Sequence, residues 1–412
     1  MKRGARALVR NRRPGPVPEY RASGKKVVAR RKVCFVTGSR AEFGLMRPVL
    51  EAIGRRRDLV LQIVVTGMHL DDARGNSIEA IREQGWNVDA VVPWESGDAL
   101  APSDWQRARA TGRAIEGISR ALRRIETDVV MVVGDRVEAF AAATAGHLGG
   151  LCVAHVHGGD RALGQVDDAL RHAITRLAHV HLAATRGSAK RLLRMGEDRW
   201  RVHTVGSPGV DGIRRQAADW KTVAAEFASL ARRRYALVVL HPTDADEQVE
   251  FHRAGMLLDS VFAAGLDRAV VVYPNNDPGS DGIARQWKSR TTDDRLRIVV
   301  DIRRDRFLGL MRDAAVMVGN SSSAIIEAAS FGTPVVDVGT RQIGRERSAN
   351  AAHVAWSAAA IRGRIGKAWN NGRPVRATGG NVYGGDGAGR RIAGALADLT
   401  FDEDYRRKLI AY

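Results

Sequence analysis

Short runs of valine, leucine and isoleucine recur along this chain, each too short for a helix and each broken by glycine or a polar cluster. Residues 33–37, 59–65, 88–92, 128–133, 151–156 and 201–205 read as strands, because apolar runs of that length bounded by turn signals suit a sheet covered on both faces. Between them the period turns helical. Leu45, Val49 and Ile53 share a face after the turn at Gly38, Leu170, Ile174, Leu177 and Ala178 share another, and a long helix is expected over 105–124. This alternation predicts a doubly wound α/β domain. The second half repeats it with strands at 236–240, 269–273, 316–319 and 335–338. The third of these is followed by a helix holding Ile325, Ala328 and Ala329, with Glu327 a turn inside it. A Gly-rich break then precedes a last helix expected at 390–399.

Open α/β sheets bind their ligands at the carboxyl ends of the strands. In the first half those ends carry Arg40 at a strand-to-helix junction, His69, Asp135 and Arg136 after Gly134, and the cluster His157-Gly158-Gly159-Asp160. Asp167 and Asp168 open the helix beyond, with Arg171 one turn further on. Taken alone, Asp167 or Asp168 caps that helix and pairs with Arg171 on a solvated face. Three polar clusters converging on one sheet edge favour a site instead, since paired carboxylates beside a histidine and an arginine are what proton abstraction and return require. His69 by itself reads as a structural hydrogen-bonder.

The strand ends of the second half carry His241-Pro242-Thr243-Asp244, Pro274-Asn275-Asn276-Asp277 and Asn320-Ser321-Ser322-Ser323. Hydroxyls entering a helix N-terminus can cradle a phosphate, because free amides and the helix dipole favour negative charge. Ser321 in isolation reads as a plain N-cap.

Composition changes this picture at few points. A chain of 412 residues is long for one core, so two domains are expected. The formal charge of +19 suggests nucleic acid until it is located: residues 1–32 hold twelve Lys or Arg against the single acid Glu19, which leaves only +8 on the rest. That Pro- and Arg-rich segment has no apolar stretch and is poor in serine. It reads as a disordered N-terminal extension without a role in the fold, ahead of a polyanion-binding arm or a transit peptide, and no specific nucleic-acid partner is expected. No apolar run approaches the roughly 18 to 20 residues that span a bilayer. Cys34 and Cys152 both fall in strands and suit a reduced, cytoplasmic protein. Walker A, GxGxxG, CxxC and HExxH patterns are absent, so kinase, dehydrogenase and zinc readings lose support.

The segments SRAEFG (39–44), TGMHL (66–70), GDR (134–136), DDALRHAITRLAH (167–179), HP (241–242), PNND (274–277), GNSS (319–322) and FGTPVVDVGTRQIGRE (331–346) together resemble the hydrolysing UDP-N-acetylglucosamine 2-epimerases of sialic-acid-type pathways, over residues 33–396. The resemblance implies the GT-B architecture: Rossmann-like domains at 33–208 and 209–380, the active site in the cleft between them, and a last helix within 381–412 that returns to the first domain. It puts Asp135, Asp167 and Arg171 on active-site positions. Arg40, Arg136, His241, Asn275, Ser321, Ser322 and Glu327 fall on UDP-binding or cleft positions, and Arg341 on a further cleft position. Two departures stand out. His157 occupies the place of a glutamate in the family's usual His-Ile-Glu-Gly-Gly-Glu, and Leu45 stands where lysine is common.

The family reaction removes the C2 proton, expels UDP and adds water to the resulting glycal, so it needs a base, an acid and charge stabilisation for the leaving diphosphate. A histidine with a pKa of ~6.5 can serve as either, so His157 joins Asp135 and Asp167 as a catalytic candidate for proton transfer, while Arg171 and the Ser321-Ser322 turn are expected to stabilise the diphosphate. The resemblance implies a UDP-sugar as substrate, N-acetylmannosamine or a related 2-epimerised amino sugar as product, no metal or nicotinamide cofactor, and a homodimer or homotetramer. The alternatives are a UDP-2,4-diacetamido-6-deoxy sugar as substrate, epimerisation without hydrolysis, GT-B glycosyltransfer, and UDP-sugar binding without catalysis.

Overall fold

The computed structural model describes residues 30–70, 77–93, 104–161, 167–275, 277–300 and 302–411, without the side chains of Asp104, Asp167, Asp404 and Arg406. Most of the basic extension (1–29) and Asn276 therefore lie outside the described residues, as does the carboxylate of Asp167.

Two parallel sheets organise the chain. The first comprises β1 (Arg31–Thr37), β2 (Leu59–Thr66), β3 (Ala90–Val92), β4 (Val129–Val133), β5 (Cys152–Val156), β6 (Val180–Ala183) and β7 (Val202–Thr204), in the order β3-β2-β1-β4-β5-β6-β7. The second comprises β8 (Tyr235–Val239), β9 (Arg268–Val272), β10 (Leu296–Val299), β11 (Val316–Gly319), β12 (Val335–Val338) and β13 (Ala351–Val354), in the order β10-β9-β8-β11-β12-β13. Both run outward from a central first strand and reverse there, so each has a topological switch point, at β1/β4 and at β8/β11. These are two Rossmann-like lobes, the GT-B arrangement.

All five residues of β4 and of β5 are buried, as expected of strands covered by helices on both faces. Helix α1 (Arg40–Gly54) starts where the Ser39 hydroxyl accepts from the Glu42 amide, and it buries Phe43, Met46, Val49, Leu50 and Ile53 against the sheet. Helix α2 (Val137–Leu148) covers the other face with alanines small enough for close approach. Helix α3 (Asp167–Leu177) follows β5, and the short α4 (Ser322–Ile326) follows β11. Near the end of the chain, α5 (Ala388–Ala397) returns to the first lobe and contributes Ile392, Ala393 and Leu396 to its core. It lies so close to α1 that a Cβ on Gly389 would sit 2.4 Å from the Pro48 carbonyl oxygen.

The two crossings between lobes brace one another. Asp211 accepts from the amides of Gly387 and Gly389 at 2.7 and 2.8 Å, and Asp386 accepts from the Gly212 amide at 3.0 Å.

Several elements depart from their expected bounds. β1 begins at Arg31, ahead of Val33, because its backbone pairs with β2 from Leu59 onward, and the Arg31 guanidinium covers the last carbonyls of α5, reaching Leu396 at 2.5 Å and Ala397 at 2.6 Å. The strand expected at 201–205 shortens to β7 because Arg199–Arg201 form a 3-10 turn that buries Arg201. Glu327 does not stand a turn inside a helix. α4 stops at Ile326, and a 3-10 turn, Ala328–Phe331, runs on to Gly332, whose φ of 68° redirects the chain toward β12.

Candidate functional site

Gly134, at φ 77°, ends β4 and turns Asp135 and Arg136 out at the sheet edge. Arg171 meets them from α3. It shares a buried face with Ile174, Thr175 and Ala178, a guanidinium where the apolar pattern alone would place a hydrophobe. Its Nη2 donates to the Asp135 carboxylate, its Nη1 lies 3.5 Å from the His157 carbonyl oxygen, and its Nε is 3.8 Å from Asp168. Burial, then the like charge of Arg345, pulls Arg171 down to about 9, so it stays cationic at neutral pH. The surface pairing that Asp168 suggested is thus a buried network.

His157 has φ 65°, a left-handed conformation that costs a non-glycine residue about 1 to 2 kcal/mol. The turn aims its ring at two partners: Nδ1 is 2.7 Å from Asp160 and Nε2 is 3.0 Å from the Ser207 hydroxyl. Asp160 also accepts from Ser188 at 2.7 Å. Burial favours the neutral acid there, yet the charges of His157 and Arg345 and the hydrogen bonds hold Asp160 below the usual carboxylate range. An ionised Asp160 makes Nδ1 the protonated nitrogen. Both ring nitrogens therefore have protein partners.

Arg136 lies 3.2 Å from Glu138 and 3.9 Å from Glu42, which caps the Gly38 amide at 2.9 Å. Burial, then the neighbouring Glu138, raises Glu42 to about 7 despite Arg136. Arg40 opens α1 beside this group. His69 is held between Thr37 (3.0 Å) and Ser77 (2.7 Å), and burial pushes it down to about 4, a neutral structural histidine.

The second lobe offers amides and hydroxyls. His241 and Asn320 exchange two bonds of 2.8 Å, and the Asn275 amide donates to His241 Nδ1 at 3.1 Å. That bond makes Nδ1 an acceptor, and burial followed by the charge of Arg341 lowers His241 to about 4, leaving Nε2–H as a donor on a neutral ring. Arg341 pairs with Asp277 at 3.6 Å. Among the described residues, Asn275 Oδ1, Gln342 Oε1 and Arg345 Nε are buried without a hydrogen-bond partner in the protein. Ser321 is the N-cap of α4, accepting from the Ser323 amide at 3.4 Å, and Ser322 is its first residue. With five residues, α4 has too little dipole to hold a phosphate by its N-terminus alone, so the hydroxyls and amides themselves carry that role. Glu327 receives a 2.7 Å bond from Arg304 on one oxygen, and burial raises it overall.

The lobes meet at this edge. Ile325 of α4 packs with Ala184, Val210 and Tyr383. Glu346 accepts from Thr185 at 2.5 Å, where a Cβ on Gly187 would lie 2.3 Å from the carboxylate. Arg345 thereby reaches the electrostatic environment of Arg171 and Asp160 from the opposite lobe. A cavity of about 430 Å³ lies alongside, bordered by Thr185, Thr204, Glu346 and Arg391, and is lined by none of the site residues expected from sequence.

Sequence reasoning does not single out Asp160, Ser207, Arg304, Arg345 or Tyr383 as partners of these groups. Asp160 and Arg345 stand inside motifs already marked. Ser207 and Tyr383 meet through a 2.8 Å backbone bond across the lobe crossings, a proximity with no local signal.

A family model described as UDP-N-acetylglucosamine 2-epimerase matches residues 51–397. The chain is 36% identical over 321 residues to a UDP-N,N'-diacetylbacillosamine 2-epimerase (hydrolyzing) of Legionella pneumophila, covering 78% of this chain and 84% of that one. It is 32% identical over 324 residues to a UDP-N-acetylglucosamine 2-epimerase of Neisseria meningitidis, covering 78% and 83%. Among solved structures, UDP-GlcNAc 2-epimerase from Neisseria meningitidis bound to UDP-GlcNAc superposes with a TM-score of 0.74 at 18% identity, over 89% of this chain and 100% of that one. The Methanocaldococcus jannaschii enzyme in complex with UDP-GlcNAc and UDP gives 0.71 at 19% identity, over 89% and 99%.

Proposed function

Because the chain belongs to the UDP-N-acetylglucosamine 2-epimerase family, we propose that it is a hydrolysing 2-epimerase, converting a UDP-linked 2-acetamido sugar to free UDP and the 2-epimerised sugar. The observation that carries this reading is the buried Arg171–Asp135 pair, fixed to the His157 carbonyl at the carboxyl end of β4. It supplies an oriented, ionised carboxylate at a topological switch point.

In this mechanism Asp135 and Asp167 serve as the acid–base pair. One carboxylate takes the C2 proton, the C1–O bond breaks with its electron pair leaving on UDP, and a glycal forms. Water then adds its oxygen to C1, the other carboxyl delivers a proton to C2 from the opposite face and recovers one from the attacking water, and the first carboxyl releases the C2 proton to solvent. Arg171 keeps Asp135 ionised and aimed. Arg40, Arg136, Arg341 and Arg345, with the hydroxyls of Ser321 and Ser322, offset the charge that develops on the departing diphosphate. His241 and Asn275 present donors and acceptors to the nucleotide, and Glu327 accepts from the ribose through the oxygen that Arg304 leaves open. His157 acts by position, since its ring is held by Asp160 and Ser207 and its carbonyl receives Arg171.

Two sugars fit the class. UDP-N-acetylglucosamine yields N-acetylmannosamine. The higher identity to the Legionella relative favours a UDP-2,4-diacetamido-6-deoxy sugar as a second reading. Incubation with each, with chromatography of the nucleotides, tests both. Free UDP formed in step with a 2-epimerised sugar supports hydrolysis, whereas an equilibrating mixture of intact UDP-sugars supports the non-hydrolysing alternative. The better of the two kcat/KM values identifies the sugar.

A further inference from the structure

Beyond α5 the chain runs back beneath the first sheet, and the contacts of this tail are disproportionately buried and charged. Tyr405 is 4% exposed and its ring stacks on His179 at 6.1 Å, while the carbonyls of Tyr405 and Arg407 accept from the buried Arg201 guanidinium at 3.0 and 2.8 Å. The Ala411 amide donates to Gly196 at 2.9 Å. The deepest charge is Lys408, whose side chain is only 5% exposed. Its ammonium donates to the carbonyls of Thr175 and Ala178 at 2.5 Å each and lies 3.0 Å from Glu197.

Those two carbonyls belong to the C-terminal end of α3. The last carbonyls of a helix have no partner within it, and a cation placed there satisfies them and complements the helix dipole. The same helix carries Asp167, Asp168 and Arg171 at its other end, with Arg171 one turn from Thr175. Glu197 draws α3 and β6 into the same knot, since it also accepts from Arg176 and lies 2.8 Å from His181. A hydrogen-bonded helix of this length transmits an axial displacement at one end to the other, and misplacement of a reacting group by about 1 Å costs up to about 100-fold in rate.

We infer that the C-terminal tail is a latch on α3, with Lys408 as a positioning residue that fixes the axial seat of Arg171 and of the Asp167 backbone. The inference rests on the proposed function only in taking those residues as the reacting end. The latch itself is a statement about α3.

Lys408→Met separates positioning from mere stability, because Glu197 keeps Arg176 and His181 as partners and no bare carboxylate is left behind. In Lys408→Met, kcat falls at least about tenfold while KM stays within about twofold, and amide exchange over residues 170–178 accelerates about tenfold more than in the core strands β4 and β5, which report any global loss of stability. Lys408→Arg, which returns a cation to the carbonyls, recovers most of kcat. Removal of residues 402–412 reproduces both effects. The latch is overturned by exchange in α3 that is unchanged in Lys408→Met or in the truncated chain. It is equally overturned by a kcat loss that Lys408→Arg fails to relieve, or by KM rising as far as kcat falls. Exchange in α3 reads the latch whether or not any UDP-sugar is turned over, so failure of the proposed reaction shows separately, as an inactive parent chain.

Discussion

The carboxyl edges of the two sheets share a topology and differ in chemistry. On the first lobe, charges are paired and mostly buried: Arg171 with Asp135, His157 with Asp160, and the buried Glu138 and largely buried Glu42 beside an exposed Arg136. On the second, neutral donors and acceptors stand among the charges: His241 is held neutral between Asn320 and Asn275 and serine hydroxyls open α4, beside the pairs Arg304–Glu327 and Arg341–Asp277. Buried ion pairs cost desolvation and fix geometry, which suits a place where protons move. Neutral groups beside arginines suit a charged nucleotide that must bind and leave again. The fold supplies two equivalent edges, and side chains divide the labour between them.

The largest test of that division falls on Arg171. Replacement by methionine leaves Asp135 unpaired and is expected to lower kcat by about 1000-fold, with UDP affinity within about threefold of the parent by calorimetry. The mirror experiment is Ser321→Ala. It removes a cap and a phosphate-facing hydroxyl and should weaken UDP binding about fivefold while kcat falls by no more than about tenfold, since one hydrogen bond contributes roughly 1 kcal/mol. A kcat loss in the second variant as large as in the first breaks the comparison.

His157 tests how far the first lobe depends on orientation. His157→Gln retains polar contacts but loses the Asp160–His157–Ser207 geometry, and steady-state kinetics should show a fall in kcat of about 10- to 100-fold. If His157 instead contacts substrate as a base, its removal costs as much as that of Arg171.

The smallest effect concerns Glu42. Its pKa is raised to about 7, so the folded state binds a proton that the unfolded chain releases near 4.5. The stability from that proton is complete below about 4.5 and is lost as pH rises toward 7, with a ceiling of about 3 kcal/mol. Thermal melts should therefore fall from pH 5 to 7 in the parent relative to Glu42→Gln, which cannot ionise. Parallel melts for both chains exclude this role for the pair.

Much of this architecture is legible in the sequence itself. The Val-rich runs that form β4, β8 and β11 are continuous and end in glycine or polar residues, and β5 is interrupted only by His155, so both sheets and the residues at their edges can be read directly. β6, β10 and β13 escape such a reading because each is only four residues long and its short apolar run is also broken, by His181, Arg297 and His353. Residue types at the site are legible and their roles less so. A histidine at positive φ with both nitrogens engaged is invisible to spacing, as are the reach of Arg345 across the lobes and the seat of Lys408. The helix expected through Glu327 does not form because the chain must turn at Gly332 to enter β12, and a 3-10 turn does so in fewer residues.

The division of labour is tested most directly by Asp135→Asn, followed in heavy water for deuterium at C2 of the sugar and, in the same preparation, for UDP affinity. Separate lobes predict that C2 exchange and UDP release both fall about 1000-fold while the dissociation constant for UDP stays within about threefold. Exchange that persists in the variant, or UDP affinity that is lost together with it, contradicts the assignment of the chemistry to the first lobe.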